Sequence, residues 1–401
     1  MQNSAKAKPR LLWKILKALL LLLLVVVLFA GISARRCLPI IWQNLTVSHL
    51  PDPATKEWEG GKIYSHIPYA AESESQYLDL YVPDIPSPQL FVLIHGGGFV
   101  AGDADTRQVR FMYDYFRDHG YACASINYRL AGEAPFPAAV CDCKAAIRFL
   151  RFHAADYGYD GEKLAVFGES AGGYLALLCS GTTDEEFSSL PFIGEERAVE
   201  ENAPEEATEE KAVEEDTEGE DAAEGTEGEE DTEGNETETE NAESPSRPIS
   251  SMVDCCVAYY PHIAPVTSEV LNDMGMPSWL YLLANNWLIG HTGGFEEFES
   301  YWLRKNYSEM SQQEQDAVTP SAYFVKNADQ LSGLHIYLIH GDADITVPYS
   351  SSVKLKETLD ASLGAKKTYF RTEPALGHAS DMLYREEILE EIDGFLKEHL
   401  Q

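Results

Sequence analysis

Residues 168–172 read Gly-Glu-Ser-Ala-Gly, placing Ser170 between two glycines where the apolar run Leu164–Phe167 gives way to helix-like sequence over Tyr174–Leu178. A serine hydroxyl is a weak nucleophile. It attacks a carbonyl only with a base in hydrogen-bond reach, and that base must be oriented by an acid. A strand, a sharp turn and a helix, with glycines flanking the serine, form the setting that presents such a nucleophile. An ordinary glycine-rich strand-to-helix turn has the same local pattern, so partners elsewhere in the chain must decide between the two readings.

Eleven histidines are present. His378 follows a strand-like run and a glycine, in a short loop where a ring can swing over a sheet edge. His340 ends the strand in "LIHGD" and reads as packing the turn that presents an acid. His95 opens a glycine loop and reads as its brace. Asp342 and Asp344 compete for the acid. Asp344 lies further into the loop, whereas Asp342 is placed to cap the turn. Gly96, Gly97 and Gly98 also follow a strand. A tetrahedral intermediate needs backbone N–H donors at its oxyanion, and side chains would block the approach. Gly97 and Gly98, with the N–H of Ala171, are the candidate donors.

The surrounding elements must bring these residues together. Strand-like runs appear in "QLFVLIH", "YACASINYRL", "LAVF", "VDCCVAYYP", "HIYLIHG" and "KKTYFRTE", and helical spacing in "AAVCDCKAAIRFLRFHAADYG" and "EEILEEIDGFLKEHL". Strands alternating with helices predict an α/β fold with a mostly parallel central sheet wrapped on both faces. Chemistry in such sheets collects at the carboxyl ends of the strands. The HGGG loop, Ser170, Asp344 and His378 all fall there.

These stretches, "HGGGFVAGD", "NYRLAGEAPFPAAVCDCKAAIRFLRFHAADYGYDGEKLAVFGESAGG" and "HGDADITVP…GH", resemble the α/β-hydrolase esterases of the hormone-sensitive-lipase and acetyl-esterase type. The likeness runs from about residue 75 to the C-terminus. It implies an α/β-hydrolase fold with a small helical cap, and hydrolysis of short-chain carboxylic esters through an acyl-enzyme with no cofactor. Its site residues map onto Ser170 as nucleophile, His378 as base, Asp344 as orienting acid, and Gly97, Gly98 and Ala171 as oxyanion donors. Glu169 stands where many hormone-sensitive-lipase relatives carry Asp, which leans toward the acetyl-esterase branch. Residues 262–320 resemble the family least and sit where such folds insert a cap. Trp279, Tyr281 and Trp287 there read either as pocket lining or as packing of a cap helix.

Two segments depart from that pattern. Residues 195–244 hold 24 Asp and Glu against Arg197 and Lys211, and so supply about −22 of the net charge of −36. With no aromatic residue, this repetitive stretch buries too little to offset the entropy of ordering, so a disordered surface insertion is expected. The acidity excludes a nucleic-acid surface, which needs clustered Lys and Arg. In residues 1–37, Lys6, Lys8, Arg10, Lys14 and Lys17 precede an apolar run of about 15 residues, and Arg35 and Arg36 follow it. That pattern predicts a membrane anchor with a cytoplasmic N-terminus and residues 38–401 outside, the alternative being a cleaved signal and secretion. Seven cysteines without a scaffold rhythm read as small buried hydrophobes, and Cys141-Asp142-Cys143 lacks the second pair a zinc site needs.

Two other function classes share the fold. A non-catalytic surface-binding protein has no use for a complete triad and oxyanion loop. A serine peptidase or amidase uses the same acyl-enzyme route, although no propeller-like sequence accompanies this domain.

Overall fold

The computed structural model describes residues 58–195, 249–263, 302–344 and 346–400. Along the chain run strands β1 (Gly61–Pro68), β2 (Tyr77–Pro83), β3 (Gln89–Ile94), β4 (Ala122–Ile126), β5 (Asp160–Glu169), β6 (Cys255–Tyr259), β7 (His335–Gly341) and β8 (Thr368–Glu373). They join in one sheet in the order β1-β2-β4-β3-β5-β6-β7-β8. The β1–β2 and β2–β4 pairs are antiparallel, and every pairing from β4 through β3 to β8 is parallel. The helices are α1 (Arg107–Asp118), α2 (Ala138–Phe152), α3 (Ala154–Tyr157), α4 (Ala171–Gly181), α5 (Gln312–Ala317), α6 (Pro320–Lys326), α7 (Tyr349–Leu363) and α8 (Glu386–His399).

The central strands are apolar at nearly every position because both faces of the sheet are covered. Side chains alternate across it. Leu90, Val92 and Ile94 of β3 join a core with Leu164 and Val166 of β5 and the buried sides of α2 and α4. Phe91 and Leu93, with Phe167 and Ile339, join the opposite core against Val109, Met112 and Phe116 of α1 and Ile388, Ile392 and Leu396 of α8. The expected doubly covered, mostly parallel sheet is therefore present. The six cysteines among the described residues are free and buried.

Boundaries differ from the sequence reading in instructive ways. β5 begins at Asp160 rather than Leu164, because its polar start still pairs with Gln89 at the sheet end. α4 begins at Ala171 rather than Tyr174; Gly172 and Gly173 conceal its first turn from any reading by helix propensity. β1 and β2 are an antiparallel edge that the alternation of strands and helices did not anticipate. Residues 1–37, nearly all of 195–244 and, within the anticipated cap, 264–301 with Trp279, Tyr281 and Trp287 lie outside the described residues. From that cap, Trp302 is buried and stacks on Phe99 at 4.6 Å.

Candidate active site

β5 carries its last residue, Glu169, to the sheet edge, and α4 starts two positions later. Ser170 alone makes the turn, with φ 53° and ψ −116°. A side-chain-bearing residue in that region stores on the order of 1–3 kcal/mol of strain, which the surroundings must over-determine. Here the Ser170 N–H donates to the Tyr259 carbonyl at 3.0 Å, and the Ser170 carbonyl accepts from Tyr174 and His262 N–H. The flanking glycines are steric necessities. A Cβ on Gly168 would collide with the Gly172 carbonyl, and one on Gly172 with the carbonyls of Ile94 and His95.

β7 and β8 deliver the other two members. The loop after β7 holds Asp344, whose Oδ1 accepts from the N–H groups of Thr346 (2.8 Å) and Val347 (2.9 Å). Its Oδ2 lies 2.7 Å from His378 Nδ1 and 3.1 Å from His340 Nε2. His378, in the loop after β8, places Nε2 3.0 Å from Ser170 Oγ. Three residues spread over 208 positions thus form one hydrogen-bonded chain. With Nδ1–H donating to Asp344, Nε2 is left as the acceptor for the serine hydroxyl.

Charge follows from the same contacts. Burial would raise the Asp344 carboxyl, but the His378 charge and the hydrogen bonds from His340 and His378 override it and hold the group well below the usual carboxylate range. Burial would lower His378, but the Asp344 charge and hydrogen bond, with a contribution from Glu169, raise it above an ordinary histidine.

His340 bridges Ser352 Oγ (2.7 Å) and the Asp344 carboxylate, so it packs the turn that presents the acid. Asp342 is exposed and accepts from the Ala375 N–H at 2.6 Å, tying the β7 turn to the loop that leads to His378. His95 is buried, stacks on Tyr128 at 4.3 Å, and holds the Gly96 carbonyl through Nδ1 at 2.7 Å. Burial pushes its ring down to about 4, so it braces the glycine loop as a neutral group.

That loop turns back sharply: Gly97 has φ +106°, and a Cβ there would strike the Ala101 carbonyl. Gly97, Gly98 and Ala171 line one cavity of about 320 Å³ together with Ser170 and His378. The Ala171 N–H opens α4 and has no intrahelical acceptor. The rest of the wall is Phe99, Val100, Gln108, Glu169, His262, Thr346, Val347 and Ala379.

Two features of the site escaped sequence reasoning. Glu169 is buried, and its Oε1 accepts the Gly96 N–H at 2.7 Å, so the elbow itself clamps the glycine loop. Burial raises its carboxyl against the His378 charge and hydrogen bonds from Gly96 and Tyr260. His262 lies three residues beyond β6, and only its position at a strand's carboxyl end could have drawn notice.

Comparison with known proteins matches residues 78–217 to a family model described as BD-FAE and residues 286–401 to the prolyl oligopeptidase family. Hormone-sensitive lipase of Mus musculus is 34% identical over 128 residues, covering 31% of this chain and 16% of that protein. Acetyl esterase of Salmonella schwarzengrund is 36% identical over 98 residues, covering 24% of this chain and 30% of that protein. The chain thus spans less than a third of either relative's length. Among solved structures, a truncated carbohydrate esterase from gut microbiota superposes with a TM-score of 0.55 at 24% identity, over 87% of this chain and 99% of that one. Together with the strand order and the elbow, these likenesses establish that the chain has the α/β-hydrolase fold and is similar in sequence to esterases of the hormone-sensitive-lipase and acetyl-esterase type.

Proposed function

We propose that the protein is a serine ester hydrolase working through an acyl-enzyme on short-chain esters. The observation that carries this reading is the Ser170–His378–Asp344 hydrogen-bond chain opening onto a cavity walled by the glycine loop. His378 Nε2 takes the Ser170 proton as Oγ attacks the ester carbonyl. The N–H groups of Gly97, Gly98 and Ala171 receive the oxyanion. His378 then passes its proton to the departing alcohol, leaving an acyl group on Ser170. A water molecule, deprotonated in turn by His378, releases the acid and restores the serine. Asp344 keeps the ring in its tautomer and stabilises the imidazolium throughout.

The test is a panel of p-nitrophenyl esters of graded chain length, assayed with residues 38–401 and with Ser170→Ala. Acetate and butyrate should turn over faster than decanoate, and Ser170→Ala should lower kcat by about 10⁴-fold or more. Activity surviving that substitution in a clean preparation would sink the assignment.

The match of residues 286–401 to the prolyl oligopeptidase family favours a second reading, a serine peptidase on the same residues. A chromogenic prolyl amide in the same panel separates the two, since the ester hydrolase should leave it uncut. Residues 1–37 serve in this proposal as a membrane anchor holding the catalytic domain outside the cytoplasm. Full-length chain should then pellet with membranes and residues 38–401 should not.

A further inference from the structure

The cavity wall carries a histidine that the proposed chemistry does not use. His262 follows Pro261 at the end of β6, and its N–H donates to the Ser170 carbonyl at 3.2 Å, so its backbone is fixed to the nucleophile's own. His262 lines the same cavity as Ser170 and His378, and its ring lies 6.3 Å from the ring of Tyr174. The residue is only 8% exposed, and Nε2 is covered with no hydrogen-bond partner among the described residues. Burial, and then the charge of His378, push the ring down to about 4, so it stays neutral wherever His378 can act as a base.

A covered ring nitrogen without a partner is costly, at about 1–3 kcal/mol. Most buried polar groups in folded proteins have a partner, so this one calls for an explanation. The cavity wall mixes apolar Phe99, Val100, Val347 and Ala379 with polar Gln108, Glu169 and Thr346, and an aliphatic residue at position 262 would carry no such cost. Torsion about χ2 of histidine is broad. Rotation about this bond exchanges the nitrogen- and carbon-bearing positions of the ring while the backbone stays tied to Ser170.

We propose that His262 is a specificity-determining residue that hydrogen-bonds a hydroxyl group of the bound ester, close to the scissile carbonyl, so that hydroxylated esters are preferred over aliphatic ones of equal size. A hydroxyl suits the site because it both donates and accepts, and therefore satisfies either tautomer of the neutral ring. Sites built to pair a substrate hydroxyl reject the analogue that lacks it far more strongly than an apolar pocket rejects a missing methylene. The proposal rests on the ester-hydrolase reading of the same cavity.

The experiment compares kcat/KM within matched pairs. One arm places the hydroxyl on the acyl side (p-nitrophenyl 3-hydroxybutyrate against p-nitrophenyl butyrate), the other on the alcohol side (glycerol monoacetate against propyl acetate). Only turnover abolished by Ser170→Ala is counted. Wild type should favour the hydroxylated member in one arm, and the arm identifies the side His262 serves. His262→Phe should lower that preference about tenfold or more, and His262→Gln, which keeps a donor and an acceptor, should restore part of it. Thermal melts of both variants accompany the assay, so that the ratio is read on folded protein. A wild type with no hydroxyl preference in either arm, or a preference that His262→Phe leaves intact, overturns the proposal. An equal loss on both members of a pair also overturns it, because that is the mark of a structural role. Wild type lacking any Ser170-dependent turnover defeats the hydrolase reading instead, and this proposal falls with it.

Discussion

Asp344 and Glu169 are both buried carboxylates within reach of the same histidine, yet the structure drives them in opposite directions. In the loop after β7, Asp344 receives four hydrogen bonds: two from backbone N–H groups and two from His340 and His378. These, with the His378 charge, outweigh desolvation and hold it ionised. At the elbow, Glu169 receives the Gly96 N–H and a bond from Tyr260, and desolvation wins. The difference teaches that burial does not assign a role. The donors fixed around a buried carboxylate decide the direction of its shift: four hold Asp344 below the usual carboxylate range, and two leave Glu169 above it while it clamps the elbow to the glycine loop.

Substitutions that keep shape and remove charge put this contrast to the test. Asp344→Asn should have the largest effect, lowering kcat about 10⁴-fold while unfolding remains cooperative, because the amide favours the wrong tautomer of His378. Steady-state kinetics and a thermal melt measure both parts. A loss of only a few-fold would mean that the donors around Asp344 are structural.

Glu169→Gln should act more mildly, with kcat at the optimum falling less than about tenfold, since the amide oxygen still accepts from Gly96. Its informative effect is on pH. His378 must be neutral to act as a base, and its raised pKa places the acid limb of kcat/KM above the ordinary histidine value of about 6.5. Glu169 is one of the charges that raise it. The substitution should therefore move the acid limb to lower pH. An unmoved limb would show that Glu169 carries a proton in the active enzyme and exerts no field.

Asp342→Asn should do least. The residue lies two positions from Asp344 but is exposed, and accepts only from the Ala375 N–H among the described residues. A change of about 1 kcal/mol in stability at most, with kcat within a few-fold, is expected. A collapse of kcat like that of Asp344→Asn would exchange the roles of the two aspartates.

The same carboxylates show what was legible in the sequence. Asp344 could be preferred to Asp342 from its depth in the loop, and Ser170 from its glycines, because both features are local. His340 and His95 were readable as braces because each adjoins the turn it supports. Glu169 was visible only as a substitution in a motif; its bond to Gly96 spans 73 positions and exists only once β3 and β5 pair. His262 had only its place at the carboxyl end of a buried strand to mark it, and that means little until a cavity forms around it. The edge strands β1 and β2 escaped for a similar reason: their partners are antiparallel, and the alternation of strands and helices reports only the parallel part of the sheet.

The central claim is that Ser170 becomes acylated. It is tested most directly by intact-mass and peptide mass spectrometry after exposure to a fluorophosphonate, which traps serines activated by a neighbouring base. The account predicts a single adduct on the peptide containing Ser170, absent from Ser170→Ala and formed far more slowly in Asp344→Asn. An adduct on another residue, or none in folded wild-type protein, would contradict it.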